Sequence, residues 1–468
     1  MKANIASAVA PGFEDLPTVS SPDWSVPNVV VHASEDSVTP VAGAVLWGPL
    51  LDHLNVVDEA DRRGVRPIGP GGYTGGECYR ALIEILLAGG DFLSDRSLLA
   101  DDATSKLRGP HALPSHTTMW RFLAGADLGR VMRIAGTNKE MLRRAWAMGA
   151  APKEGILSID PDATVVRTYG KGKEGSVHTY LGKPGLHPLV GVIGETGEVL
   201  AVRERGGNAQ AGRRLGSFTT ECVNAIPEEA RSNYQLWVRS DSAGYQREVI
   251  DAAEAADAVW SVTAKRFPNV NQAIYALAAG SGTLWEKAKG GEEARGSEVA
   301  ETTFTFVQRE VRLIVRRQPK EHGAQLSLDD LDGYRFHAII TNVPRCFGSA
   351  AGVEAHHRLR AGVPEGTIKA LKNDYGFMHA PLENFFGNWS WHLACALAHN
   401  VVVWLKVLAL PESFRFCRGK RMRLLFLNLP ARITRSARRL IVNLPRAYRH
   451  ARVFNDALRR IRALPAFT

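Results

Sequence analysis

Between residues 44 and 148 apolar side chains return every third or fourth position. AVLWGPLLDHL, CYRALIEILLAGG and MRIAGTNKEMLRRAWAMG each carry that spacing, which predicts helices with one buried face. From residue 155 the rhythm changes. GILSIDPDATVVRTYG, HTYLGKPGLHPLVGVIGETG and EVLAVRERGGNAQ are rich in Val, Ile and Thr and are parted by glycine-containing turns, so they predict three successive strands of an antiparallel meander. A helix at about 208–226, the strand QLWVRSD, a helix at 244–257 and the strand AVWSVTA follow. Further on, ETTFTFVQREVRLIVRRQP and YRFHAIITNV predict two more strands, and ENFFGNWSWHLACALAHNVVVWLKVLAL predicts a buried helix pair. The first forty residues are rich in Pro and Ser, with one short strand candidate, NVVVH at 28–32.

Three antiparallel strands followed by alternating helix and strand make a mixed sheet with helices on its faces. That order is the ribonuclease-H-like one. The predicted organisation is an N-terminal arm (1–43), a helical block (44–150), a mixed-sheet α/β core in two parts (151–265 and 351–410) interrupted by a β-rich insertion domain (266–350), and a basic helical C-terminal tail (411–468).

In such a sheet the first and fourth strands are neighbours. The first carries Asp160 and Asp162 in SIDPDATVV, and the fourth ends at Asp241 in RSDSAGY. Carboxylates brought together repel, and each resists ionisation, unless a divalent cation with a taste for hard oxygen ligands lies between them. Two such ions about 3.5–4 Å apart activate a water or a 3′-hydroxyl and stabilise the leaving oxygen of an in-line attack on phosphorus. A further carboxylate is available in Glu365, placed in the first turn of a helix by Gly362 and Pro364. Lys372, two helical turns later, lies on the same face and suits a DNA phosphate.

Charge strengthens the nucleic-acid reading. The net charge is +10, yet from Arg415 onward 14 arginines and one lysine stand against a single acid, Asp456, so the basicity is local. Arginines interleaved with apolar residues suit one face that packs and another that meets a polyanion, with Arg435, Arg438 and Arg439 as DNA contacts. Within the helical block, ALPSHTTMWRFLAG reads as the second helix of a helix-turn-helix capped by Ser115, with Thr117 and Arg121 as further DNA contacts. The five cysteines are scattered, odd in number and free of CxxC spacing, which predicts buried thiols rather than disulfides or a thiolate zinc site. His392 and His399, seven apart, read as satisfied core histidines rather than metal ligands. No leader or stretch of eighteen consecutive apolar residues is evident, so the expected location is the bacterial cytoplasm, at the nucleoid.

Taken together, DPDATVVRTYGKGKEG, GLHPLVGVIGETGEVLAVRERGGNAQAG, LWVRSDSAGY, VPEGTIKALKNDYGFMHAP, NFFGNWSWHLACALAHNVVVWL and the arginine-rich end resemble the DDE transposases of bacterial insertion sequences, in the group related to piggyBac-type elements. The resemblance spans roughly residues 30 to 465. It implies Asp162, Asp241 and Glu365 as catalytic, metal-holding acids with Asp160 in reserve, two Mg²⁺ or Mn²⁺ ions, and double-stranded DNA (inverted repeats and target) as partner. A homodimer or larger synaptic complex is implied as well. The related Tyr–Arg–Glu–Lys signature is only partly met. Glu365 and Lys372 keep its spacing, whereas Arg360 lies one residue too far upstream and His357 stands where Tyr is sought. By analogy with insertions that contact transposon ends, Arg312, Arg316 and Arg317 are DNA-contact candidates, as is Arg360. The competing readings are a ribonuclease-H-like nuclease without strand transfer and a catalytically silent transposase-derived DNA-binding protein.

Overall fold

A computed structural model of the chain describes residues 37–66, 72–170, 172–291, 294–320, 330–331, 333–437 and 439–467. The strand candidate at 28–32 and Arg438 lie outside the described residues.

The helical block opens with α1 (Ala44–His53) and α2 (Gly75–Leu87) and continues through α3 (His116–Ala124) and α4 (Leu128–Ala145). Local chemistry sets two of these starts. Thr74 and Glu77 form a reciprocal capping box on α2, and the Ser115 side chain accepts the Thr118 amide at 3.1 Å to begin α3.

The core sheet follows as β1 (Gly155–Ala163), β2 (Leu189–Ile193), β3 (Val199–Arg203), helix α5 (Leu215–Ala225), β4 (Tyr234–Ser240), helix α6 (Arg247–Glu254) and β5 (Val259–Thr263). β1 pairs antiparallel with β2 and parallel with β4, β2 antiparallel with β3, and β4 parallel with β5. The order β3-β2-β1-β4-β5 is the predicted one. Helix α5 starts later than its apolar pattern suggested, because residues 206–214 form a loop before it.

The insertion supplies β6 (Glu286–Lys287), β7 (Glu298–Phe306), β8 (Arg309–Pro319) and β9 (Tyr334–Thr341). These strands were expected to build a separate domain. Instead β9 pairs antiparallel with β5, and the order runs on through β8, β7 and β6, so the molecule is a mixed α/β protein around one ten-stranded sheet. Left alone, β5 would end the sheet with a row of unpaired backbone groups, and continuing the sheet covers that edge.

Two helices, α7 (Ala350–Arg358) and α8 (Val363–Asp374), lead to α9 (Phe385–Ala409), a single helix of 25 residues where a pair was expected. No proline interrupts its apolar run. It is long and apolar enough to cross a membrane, but most of it is buried inside the protein. It closes the other sheet edge: Asn400 bonds both the N–H and the C=O of Val199 at 2.8 and 2.9 Å, and Trp389 donates to the Val202 carbonyl at 2.8 Å. Each such bond contributes about 1 kcal/mol. The helical block and α9 share one hydrophobic core with the sheet, so residues 44–150 do not stand apart as a domain.

The basic tail also differs from its prediction as wholly helical. β10 (Ala431–Ser436) and β11 (Arg439–Asn443) form a hairpin paired to the two-residue strand Val38–Thr39, and α10 (Ala451–Arg462) follows. Short β-branched runs such as RIT and LIV override the weak helical spacing there. Phe454, Ala457 and Ile461 bury one face of α10, which packs on α1 and α9 while its arginines face outward. Cys78, Cys222 and Cys395 are buried thiols as expected; Cys346 is exposed and Cys417 half-buried.

Candidate active site

The register of β1 against β4 pairs Ile159 with Val238. One step further sets Asp160 beside Arg239, and two more set Asp162 beside Asp241. Side chains two apart on a strand share a face, so one face carries first an acid–base pair and then, toward the carboxyl ends of the strands, an acid–acid pair.

The inner pair is structural. Arg239 grips both carboxylate oxygens of Asp160, at 2.9 and 2.6 Å, with each side chain only 1% exposed, and donates to the His356 carbonyl at 2.8 Å. Asp160 is therefore committed to Arg239, and Asp162 is the β1 acid left to interact with Asp241. The signal was in the sequence: D-x-D on one strand and R-x-D on its neighbour have the same two-residue period.

The outer pair is different. Asp162 accepts the Ala163 amide at 2.8 Å, and Asp241 accepts the Ala243 amide at 2.9 Å, capping the turn after β4. Burial pushes the Asp162 carboxyl up to about 6 against the pull of the Arg360 guanidinium, and the nearby Asp241 and Asp160 carboxylates add to the rise. Arg360 lies 3.6 Å from Asp160 and 3.8 Å from Asp162, mostly enclosed, with its Nε unbonded among the described residues. It is thus a largely enclosed cation beside the two β1 aspartates rather than a free surface contact. Lys372 is held below its usual range by burial, with Asp162 acting in the opposite direction. His357 is buried, bonded to Ser261 and Thr263 at 2.9 and 3.1 Å, and burial among cations keeps it well below the usual range.

Glu365 is not brought to this pair. The first turn of α8 lies against the β2–β3 turn, where Thr367 donates to the Gly197 carbonyl at 3.3 Å. Lys372, at the other end of the helix, is the residue within reach of Asp162. The seven residue steps from Glu365 to Lys372 span about 10 Å of helix. Glu365 is exposed and its ion-pair partner is Lys369 at 3.7 Å. Among the described residues no group of three or more His, Cys, Asp or Glu side chains could hold a metal. The expected convergence of three acids is therefore a convergence of two, with Arg360 and Lys372 supplying the positive charge.

Two hard carboxylates at one strand end still suit Mg²⁺ or Mn²⁺, which is commonly held by one or two carboxylates together with waters and substrate phosphates. The raised Asp162 carboxyl reflects first its burial, with the neighbouring carboxylates adding to it.

The other candidates divide by exposure. Ser115, Thr117 and Arg121 lie exposed on α3, as do Arg435 and Arg439 on the hairpin. The insertion arginines are spent internally. Arg312 is buried against Glu301 and the Val343 and Gly348 carbonyls, Arg316 pairs with Glu354 at 3.3 Å, and Arg317 pairs with Glu298 at 2.6 Å and stacks on Trp285. β8 lies between β7 and β9, so acids on neighbouring elements reach its arginines. His392 pairs with Glu204 and His399 bonds the Gly197 carbonyl at 2.9 Å, both inside the core.

A family model described as transposase DDE domain group 1 matches residues 75–466. No curated protein matches the chain. A solved structure of the piggyBac transposase synaptic complex with hairpin DNA aligns at 12% identity over 84% of this chain and 82% of that one, with a TM-score of 0.38.

Proposed function

Because the chain belongs to the transposase DDE domain group 1 family, we propose that it is a DNA transposase that binds the inverted repeats of an insertion sequence, cuts the element's ends by metal-dependent hydrolysis and joins the freed 3′-hydroxyl to target DNA. The observation that carries this reading is the in-register pair Asp162 and Asp241 at the carboxyl ends of β1 and β4, with basic side chains beside it. Asp162 and Asp241 would hold Mg²⁺ or Mn²⁺. The chemistry so supplied is a nucleophilic water or 3′-hydroxyl and a counter-charge for the leaving oxygen. Around that centre, Arg239 fixes the register of the two strands, Arg360 balances the acids before substrate arrives, and Lys372 is positioned to meet a DNA phosphate. Glu365 would join as third acid only if α8 moved on binding DNA.

DNA is held more widely by the exposed face of α3 and by the β10–β11 hairpin, a two-stranded ribbon of a kind the major groove admits. Removing the tail would test folding, since α10 belongs to the core. The informative change is Arg435→Ala with Arg439→Ala. These two substitutions are expected to weaken binding to any duplex and to flatten the log–log salt dependence by about 2. An unchanged slope removes the hairpin from the interface.

The test of the function is incubation of purified protein with Mg²⁺, a plasmid target and duplexes taken from the DNA flanking the gene. End cleavage and joined products are expected. Cleavage without joining would make the protein a nuclease. The silent-acid reading draws support from the exposed position of Glu365, and it requires that neither Mg²⁺ nor Mn²⁺ elicit any product.

A further inference from the structure

Beside Asp241, on the side facing α5, opens a cleft of about 650 Å³ lined by Arg213, Arg214, Gln246, Glu248 and Lys265. Its floor is the loop 206–214, GGNAQAGRR, a stretch whose pattern predicted the end of a strand and the start of a helix.

That loop is fastened from two directions. Arg205, buried beneath it, donates to the carbonyls of His187 (2.8 Å), Gln210 (3.0 Å), Ala211 (3.1 Å) and Arg213 (2.7 Å). Such interior use of a guanidinium is costly, and burial draws Arg205 down to about 10. From the outside, Gln246 donates to the carbonyls of Gly212 at 2.8 Å and Ala243 at 3.0 Å, tying the loop to the turn that Asp241 caps. The two backbones approach so closely that a Cβ on Gly212 would lie 2.7 Å from the Ala243 carbonyl oxygen.

The result of this fastening is the placement of cations. Arg213 and Arg214 are exposed, and among the described residues neither they nor Lys265 enter an ion pair. Arg214 adopts the left-handed conformation, φ 60°, where an ordinary side chain is strained and Asn or Gly would be relaxed. It directly precedes α5, whose first turn has no side-chain cap. Glu248 and Asp241 are the acids of the cleft, so its cations outnumber its carboxylates by three to two.

We infer that Arg213, Arg214 and Lys265 form a clamp for the backbone phosphate next to the one that is cut, on the opposite side of the aspartate pair from Arg360 and Lys372. The inference rests on the proposed function and adds the path of the DNA strand: across the carboxyl ends of β1 and β4, held by cations at both ends of the crossing. Arginine's planar fork suits phosphate oxygens, and the uncapped start of α5 favours the same charge.

The test compares wild type, R213Q/R214Q and R213K/R214K on a duplex from the DNA flanking the gene. Binding without divalent metal is read against salt, and cleavage in Mg²⁺ at saturating DNA is read as a rate. The glutamine pair is expected to flatten the salt slope by about 1 to 2 and to slow saturated cleavage at least about tenfold, with thermal melting unchanged because both side chains are exposed. The lysine pair is expected to keep the slope. If wild type cuts and the glutamine pair matches it in slope and rate, the clamp is overturned alone; if wild type neither binds nor cuts, the function falls and the clamp with it.

Discussion

Asp162→Asn and Asp241→Asn are each expected to lower Mg²⁺-dependent end cleavage by at least about three decades, on the order of 4 kcal/mol of transition-state stabilisation, while binding to the same duplex survives. Asp162→Asn has a second effect of opposite sign. In the fold this carboxyl titrates at about 6 rather than at its ordinary 3.8, because burial disfavours its charge. The folded protein then binds the proton more tightly than the unfolded chain does, so ionisation costs stability. That cost is absent only well below the ordinary value of 3.8, is small at pH 4, grows as pH rises and is complete above about 6. Two pKa units correspond to roughly 3 kcal/mol, and the partial exposure of the side chain reduces this to about 1–2 kcal/mol. Metal-free Asp162→Asn should therefore melt higher than wild type at pH 8 and close to it at pH 4. Mg²⁺ should raise the melting temperature of wild type more than that of the variant. Equal melting at both pH values would refute the account of Asp162 as a buried acid that resists ionisation. Glu365→Gln belongs in the same series: cleavage reduced as far as by Asp241→Asn would show that α8 delivers Glu365 to the site, whereas a loss under about tenfold leaves the metal with the two aspartates.

Much of this site was legible along the chain, and the reason is local. A two-residue period fixes which residues of β1 and β4 share a face, and the order of strands fixes which strands are neighbours, so the approach of a β1 acid to Asp241 followed from pattern, while the preference for Asp162 over Asp160 came from the family resemblance. Glu365 did not follow, because its helix position was read correctly while the placement of the helix along the sheet was not. Which turn of α8 lies at which strand end is decided by packing of Val363 and Thr367 against Gly197, a contact between residues far apart in sequence. The insertion shows the same limit. Its strands were evident, but their addition to β5 depends on an exposed edge that only the assembled sheet possesses, and the internal pairing of Arg312 and Arg317 follows from that addition. In the tail, arginines at near-helical spacing hid a hairpin, since alternation over five or six residues is too brief to outweigh composition. Arg239 carried a weaker signal, since a lone base on a strand gains meaning only from the buried acid, Asp160, that faces it.

Arg239→Met is accordingly expected to cost about 3–5 kcal/mol, because it strands the Asp160 carboxylate in the core with Arg360, 3.6 Å away, as the remaining cation at ion-pair distance. If the pair served stability alone, Asp160→Leu together with Arg239→Met would restore most of the loss, since well-packed apolar residues often replace a buried ion pair without penalty. The geometry assigns it more than that. Arg239 binds Asp160 on β1 and the His356 carbonyl at the end of α7 at once, and two residues beyond α7 stands Arg360, the cation beside Asp162. The double variant should then melt close to wild type yet remain slow at saturating DNA, because α7 is no longer tied to β4 and Arg360 is no longer aimed. Full recovery of both melting and cleavage would reduce the Asp160–Arg239 pair to a filler of the core. Recovery of melting alone would establish it as the element that sets two strands and one helix in register around the aspartates.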